Sequence, residues 1–353
     1  MPIPFRLLIL TPGFPRDESD TTCIPALQDF VLGWKEFHPE IQMKVISFQY
    51  PHEEKFYRWN GIEVYAAGGK DRKLFFRQRT WRRVNNKLKE WCNNQTILLS
   101  YFLTEATFVG LKFSLRENIP HLAIAAGQDV KKQNRYLEFL RITQPKIVCF
   151  NQSMSEELFQ SAGVRADYII PMGISDSNGL FPRYHGINRQ LDLLIAGSLI
   201  PVKQVDLALK IISEVKKDFS FLKTEIVGDG TERKNLEALT KELHLESTVH
   251  FTGALKREQV FDKMQQAKIL LHASEYEGQS TVISEALACG MSVVCFDVGR
   301  ICDHEKIHVC RSAEEMTRKV IQLLTENSFD FSSVVPVTMR DTINAYWSII
   351  KSF

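Results

Sequence analysis

Short apolar runs recur along this chain, each followed by a segment of helix length, and that alternation limits the fold more than any other feature. In the first half the runs are FRLLILT, MKVISF, TILLSYF, PHLAIAA, PKIVCF and DYIIP; in the second they are DLLIAG, KTEIVG, TVHFTG, KILLHA and SVVCFD. Helical patterns fall between them near residues 24–36, 105–116 and 132–142, then near 203–217, 231–243, 256–266 and 281–289. A strand that is apolar throughout is buried on both faces, and a strand that returns through a helix lies parallel to its neighbour. The pattern predicts two doubly wound α/β domains with parallel sheets. Their boundary falls in the turn-rich stretch PMGISDSNGLFPRYHGINRQ, residues 171–190, which divides the chain into 1–175 and 176–335. The last segment, 336–353, carries MRDTINAYWSIIKSF and reads as a further helix.

Composition agrees with two soluble domains: 353 residues, 44% hydrophobic and 24% charged. The seven cysteines are odd in number and include no C-x-x-C pair, which suits neither a disulfide framework nor a zinc site, so reduced cytoplasmic thiols are expected. The opening MPIPFRLLILTPGFP is too short an apolar run for a signal peptide or a membrane span. Net charge is +2, and no nucleic-acid partner is expected. Residues 70–91, KDRKLFFRQRTWRRVNNKLKEW, hold nine basic and two acidic residues. Leu74, Phe75, Trp81, Val84, Leu88 and Trp91 recur there at spacings near three and four, so the stretch is predicted to be an amphipathic helix with a basic face. Two readings stand side by side: a solvated helix packed by its apolar stripe, or peripheral contact with an anionic membrane.

Ligands of open α/β sheets bind where strand ends meet helix N-termini. Three such junctions stand out in the second half. SLIPVKQ follows DLLIAG and puts Lys203 at the start of a helix, beside Ser198; a Gly-Asp-Gly turn, with Gly228 and Asp229, follows KTEIVG; and EGQSTVISE follows KILLHAS. In the last of these, Glu277 lies on the loop and Glu285 about one turn inside the helix, with Gly278, Gln279, Ser280 and Thr281 between. Carboxylates accept hydrogen bonds from vicinal hydroxyls, while turn amides at the positive end of a helix suit phosphate. A nucleotide-sugar matches that pattern. A capping box is the structural alternative, but it needs a glutamate three residues after the cap, and Glu285 lies four after Thr281 and five after Ser280.

The segments IAGSLIPVKQVDLAL, IVGDGTERKNLEAL, VHFTGALKREQVFDKM and ASEYEGQSTVISEALACGMSVVCFDVG resemble, in order and spacing, the C-terminal domain of glycosyltransferase family 4, whose members are retaining enzymes of the GT-B fold. EGQSTVISE matches the E-x7-E signature of that family. In the first half TPGFPRDESDTT, AGQDVKK and YIIPMGISD resemble, more weakly, its first-strand loop, its HG-x-D-V segment and its V-I-P-N-G-V-D segment. The resemblance implies two Rossmann-like domains facing a central cleft, the first on the acceptor side, the second holding the nucleotide-sugar, with the final helix returning toward the first domain. It further implies that Glu277 accepts from the hydroxyls of the donor sugar and Glu285 from the ribose. Lys203 would neutralise the diphosphate, the amides of Gly278 to Thr281 would hold sugar and phosphate, and the Gly13 loop would close on the donor. A UDP- or GDP-sugar is the implied substrate, with no further cofactor and no metal, and the chain lacks the D-x-D triplet of the other large glycosyltransferase fold. The acceptor would be a glycan or a lipid-linked molecule at the inner face of the cytoplasmic membrane.

Two positions depart from the family pattern: Ser198 stands where an arginine is usual, and Ala126 where a histidine is usual. They keep open a weak or inactive nucleotide-sugar-binding protein of the same fold. A glycosidase would also use paired carboxylates, but the phosphate-binding surroundings of Lys203 argue against it. HEKIH, residues 304–308, matches the H-E-x-x-H zinc pattern, yet KIHVC reads as a short strand, on which the two histidines would not share a helical face.

Overall fold

The structure is a computed structural model that describes residues 5–70, 74–175, 189–299 and 302–353. Arg72 and Lys73 of the basic stretch, and most of the expected boundary segment, lie outside the described residues. The chain forms two compact units, residues 1–175 with 337–353, and residues 176–336.

In the first unit the strands are β1 (Arg6–Gly13), β2 (Gln42–Tyr50), β3 (Glu54–Trp59), β4 (Ile62–Ala67), β5 (Thr96–Tyr101), β6 (His121–Ile124), β7 (Lys146–Cys149) and β8 (Tyr168–Ile169). The interleaved helices are α1 (Pro25–Phe37), α2 (Leu74–Trp91), α3 (Glu105–Glu117), α4 (Leu137–Thr143) and α5 (Gln152–Ala162). The sheet order is β3-β4-β2-β1-β5-β6-β7-β8. Alternation along β1 explains the double winding. Leu7 and Ile9 enter one core cluster, with Phe30 and Trp34 of α1, whereas Leu8 and Leu10 enter another, with Val84 and Leu88 of α2 and Phe113 of α3.

This sheet is not wholly parallel, contrary to the expectation from the apolar runs. β3 pairs antiparallel with β4 at the sheet edge, in register Trp59↔Ile62. The two residues between them, Asn60 (φ 46°) and Gly61 (φ 78°), both take the left-handed region, as a two-residue hairpin turn requires. One face of β3 is open, with Phe56 55% exposed, so its sequence alternates; β3 and β4 are both absent from the apolar runs read as strands.

The second unit contains β9 (Leu191–Ala196), β10 (Thr224–Val227), β11 (Val249–Gly253), β12 (Ala267–His272), β13 (Ser292–Cys295) and β14 (Ile307–Val309). Between them lie α6 (Val205–Val215), α7 (Arg233–Glu242), α8 (Arg257–Gln266) and α9 (Thr281–Ala288), and α10 (Ala313–Glu326) follows. The order is β11-β10-β9-β12-β13-β14, and every pair is parallel. That is the Rossmann order, whose direction of winding reverses between β9 and β12.

The last helix, α11 (Met339–Ile350), belongs to the first unit and packs on α1, with Tyr346 edge-on to Phe30 at 4.9 Å. Helix α2 directs Val84, Leu88 and Trp91 inward. Its cations divide in two. Arg83 pairs with Glu54 at 2.6 Å and donates to the Ala67 carbonyl, and Lys87 pairs with Glu90, whereas Arg79, Arg82 and Lys89 are exposed. Among the described residues no helix is long and apolar enough to cross a membrane.

Candidate functional site

The loops that leave β9, β10 and β12 are tied to one another by their backbones at the switch point of the second sheet. Leu199 N–H donates to the Asp229 carbonyl (2.9 Å), Glu232 N–H to the Leu199 carbonyl (2.9 Å), and Glu275 N–H to the Val202 carbonyl (2.9 Å). Gly228 takes φ +136°, and a Cβ there would stand 1.9 Å from the Gly197 carbonyl oxygen, so only glycine fits where these strand ends meet. Ser198 is exposed and lines a small depression with Gly197, Lys203, His272 and Ser274. Asp229 is also exposed, and its Oδ1 accepts from Gly230 N–H.

Lys203 sits in a short 3-10 turn, Pro201–Lys203, just before α6 rather than within the helix, because Gln204 takes the left-handed region. Its Nζ donates to Glu277 Oε1, although the two residues lie 74 apart in sequence. The same oxygen lies 3.4 Å from His272 Nε2, at the last residue of β12. The Glu277 side chain is 13% exposed. Burial pushes its carboxyl up, and the hydrogen bond from His272 with the charge of Lys203 outweighs that, holding it at about 2.

Ser280 is the N-cap of α9, but its side chain does not cap the helix; Ser280 Oγ lies instead 3.2 Å from His272 Nε2. The first-turn amides of α9 therefore carry no side-chain cap, and the positive end of the helix faces the Lys203–Glu277 pair. Gly278, Gln279 and Ser280 are buried and Thr281 half-buried. Gly299 (φ +63°) packs from below: a Cβ there would stand 2.4 Å from Glu277 Cβ, and its carbonyl accepts from Ser280 N–H at 2.9 Å.

Glu285 lies one turn further into α9 and pairs with Arg257, the first residue of α8, at 2.9 Å. Burial raises its carboxyl above the usual range against the opposing pull of Arg257. The structure thus brings together Ser198, Lys203, Glu277, the turn 278–281 and, across the neighbouring strand end, Gly228 and Asp229. Glu285 is on the same helix, one ion pair away. Gly13 lies in the other unit at the end of β1, where Phe14 N–H donates to the Tyr50 carbonyl. Ala126, also in the first unit, spends its N–H on the buried carboxylate of Asp129.

Two participants were not read from the sequence. His272 follows the apolar run Ile269–Leu271 of β12, and a polar residue at a strand's carboxyl end was the available signal. Arg257 stands among other charges in LKREQ, with nothing to mark it. The H-E-x-x-H match places His304 before β14 and His308 within it, off any helix, with Lys306 N–H donating to His304 Nδ1.

The two doubly wound units define a fold class, GT-B. The chain aligns with Anabaena HepE, solved with UDP and glucose, over 99% of its length and 100% of that chain (TM-score 0.72, 15% identity). It aligns with the trehalose-6-phosphate synthase OtsA over 99% of each chain (TM-score 0.68, 9% identity). Residues 181–332 match the family described as glycosyl transferases group 1. Among curated proteins, the GPI3 subunit of phosphatidylinositol N-acetylglucosaminyltransferase from Saccharomyces cerevisiae is 24% identical over 57% of this chain and 48% of its own length. A 2-deoxystreptamine glucosyltransferase from Streptomyces kanamyceticus is 33% identical over 26% of this chain and 23% of its own. The chain spans about half the length, or less, of these curated relatives.

Proposed function

We propose that the chain is a retaining glycosyltransferase of family 4 that moves a sugar from a UDP- or GDP-sugar to a glycan or lipid-linked acceptor in cell-surface polysaccharide synthesis. The observation that carries this reading is the meeting of Lys203 and Glu277 beside the uncapped start of α9, at the β9/β12 switch point. As the bond between sugar and diphosphate breaks, negative charge builds on the departing phosphate. The Lys203 ammonium and the amides of α9 stabilise that charge in place. Glu277, held ionised, accepts from the hydroxyls of the donor sugar, and Glu285, steadied by Arg257, accepts from the ribose.

UDP is the first nucleotide to test, since HepE was solved with UDP and glucose. The yeast relative is named for a phosphatidylinositol acceptor, which supports a lipid-linked one here. On that reading the exposed cations Arg79, Arg82 and Lys89 of α2 meet the anionic membrane surface. Calorimetry with free nucleoside diphosphate tests the division of roles. Glu285→Gln is expected to weaken binding, while Glu277→Gln leaves it nearly unchanged and damages sugar transfer; equal losses in both would contradict the assignment.

A further inference from the structure

We infer that His272 is a positioning residue for the reaction, the donor that keeps Glu277 ionised and aimed at the sugar once Lys203 turns to the diphosphate. The inference rests on the donor-site reading above and adds to it a residue that no motif supplies.

In the structure Glu277 Oε1 accepts from the Lys203 ammonium and lies 3.4 Å from Nε2 of the His272 imidazole. During transfer Lys203 has a second and stronger claimant, because a nucleoside diphosphate carries more negative charge than one carboxylate. Without the Lys203 ammonium, Glu277 would be a carboxylate 13% exposed, which burial drives toward protonation. Once protonated it would present a proton where the sugar hydroxyl needs an acceptor.

His272 remains. It is 5% exposed, and as the last residue of β12 it is paired in register with Cys295 of β13, so its backbone cannot follow Lys203. A carboxylate can only accept, so the Nε2 that faces Glu277 carries the proton, and the neutral ring suffices. The same nitrogen lies 3.2 Å from Ser280 Oγ, which explains why that hydroxyl does not cap α9. One imidazole therefore links the end of β12, the Glu277 loop and the first residue of the anion-facing helix. The titratable groups around it are Lys203 from the turn after β9, Glu277 from the loop that follows, and the Cys295 thiol alongside on β13.

Three forms of the protein separate this role from simple packing. His272→Leu keeps the bulk and loses the donor, and His272→Gln keeps a side-chain N–H at similar reach. With all three folded to comparable Tm, kcat and KM for the sugar nucleotide are measured across pH, and affinity for free nucleoside diphosphate by calorimetry. His272→Leu is expected to lower kcat on the order of 10- to 100-fold, the usual effect of losing an oriented outer partner. Diphosphate affinity stays within about twofold. The acid limb of the pH profile moves to higher pH, because Glu277 has lost a hydrogen bond that favoured its charge. His272→Gln is expected to restore most of kcat and to return the limb toward its wild-type position. Equal losses in Leu and Gln with an unmoved acid limb would reduce His272 to packing and overturn the inference. A loss of diphosphate affinity as large as the loss of kcat would overturn it too, by making His272 part of the nucleotide site. If the wild type binds no nucleoside diphosphate, the donor-site reading itself falls and takes the inference with it; the binding heat of the wild type tells that failure from the others.

Discussion

Glu277 is ionised against its own burial, and that has a signature in stability. Its carboxyl is held at about 2 in the folded chain, below its ordinary 4.5, so the folded state binds this proton less readily than the unfolded one. The stabilisation is complete above pH about 4.5 and is lost as pH falls from there toward 2. Thermal melts of wild type and Glu277→Gln should therefore differ most at neutral pH and converge in acid. A difference that stays constant with pH would mean that the Lys203 and His272 contacts do not hold the charge. At this scale the site was partly legible. Glu277, Glu285 and the turn between them could be read because they follow one another in a spaced motif, and Lys203 because it opens a helix after an apolar strand. What brings Lys203 to Glu277 is strand order, which no local pattern carries. His272 was missed because one histidine ending an apolar run reads equally well as an ordinary core residue.

Helices α8 and α9 carry Arg257 and the 281–285 segment, and their far ends are joined by one side chain. Arg189 is 7% exposed; its guanidinium donates to the carbonyls of Met264 and Ala267 at the end of α8 and of Cys289 at the end of α9, and it stacks over Phe331 at 4.1 Å. Burial lowers its pKa to about 10, still well above neutral, so the charge persists. Arg189→Met leaves those helix-end carbonyls without their donor and is expected to cost about 3 kcal/mol, measurable by urea unfolding. A change below about 0.5 kcal/mol would show that water replaces it. The β3–β4 hairpin shows a signal present and passed over. Asn-Gly between two strands marks a tight turn, but neither β3, with its alternating sequence, nor β4, interrupted at Glu63, was among the apolar runs read as strands. Helix α2 was legible in its period, whereas the use of its charges was not: Arg83 serves Glu54 and Ala67, so the membrane test belongs to Arg79, Arg82 and Lys89. Changing these three to Gln is expected to release the protein from anionic liposomes at low salt while leaving nucleotide affinity unaltered. Retained sedimentation would assign α2 to an ordinary solvated face.

Over the whole molecule, regular alternation of buried strands and helices sufficed to give two doubly wound units, because a strand apolar on both sides has few other places to go. The antiparallel edge strand escaped that logic, since an edge needs cover on fewer sides. The central claim is chemical: the β9/β12 switch point holds a nucleotide-sugar, and Lys203 stabilises its leaving group. Release of nucleoside diphosphate from a panel of UDP- and GDP-sugars, by wild type and by Lys203→Ala at equal Tm, tests it most directly. The account predicts release from at least one donor by the wild type, slowed on the order of 100-fold in Lys203→Ala. Equal release by both would remove Lys203 from the mechanism, and tight binding without release by the wild type would make the chain a nucleotide-sugar-binding protein that has lost catalysis.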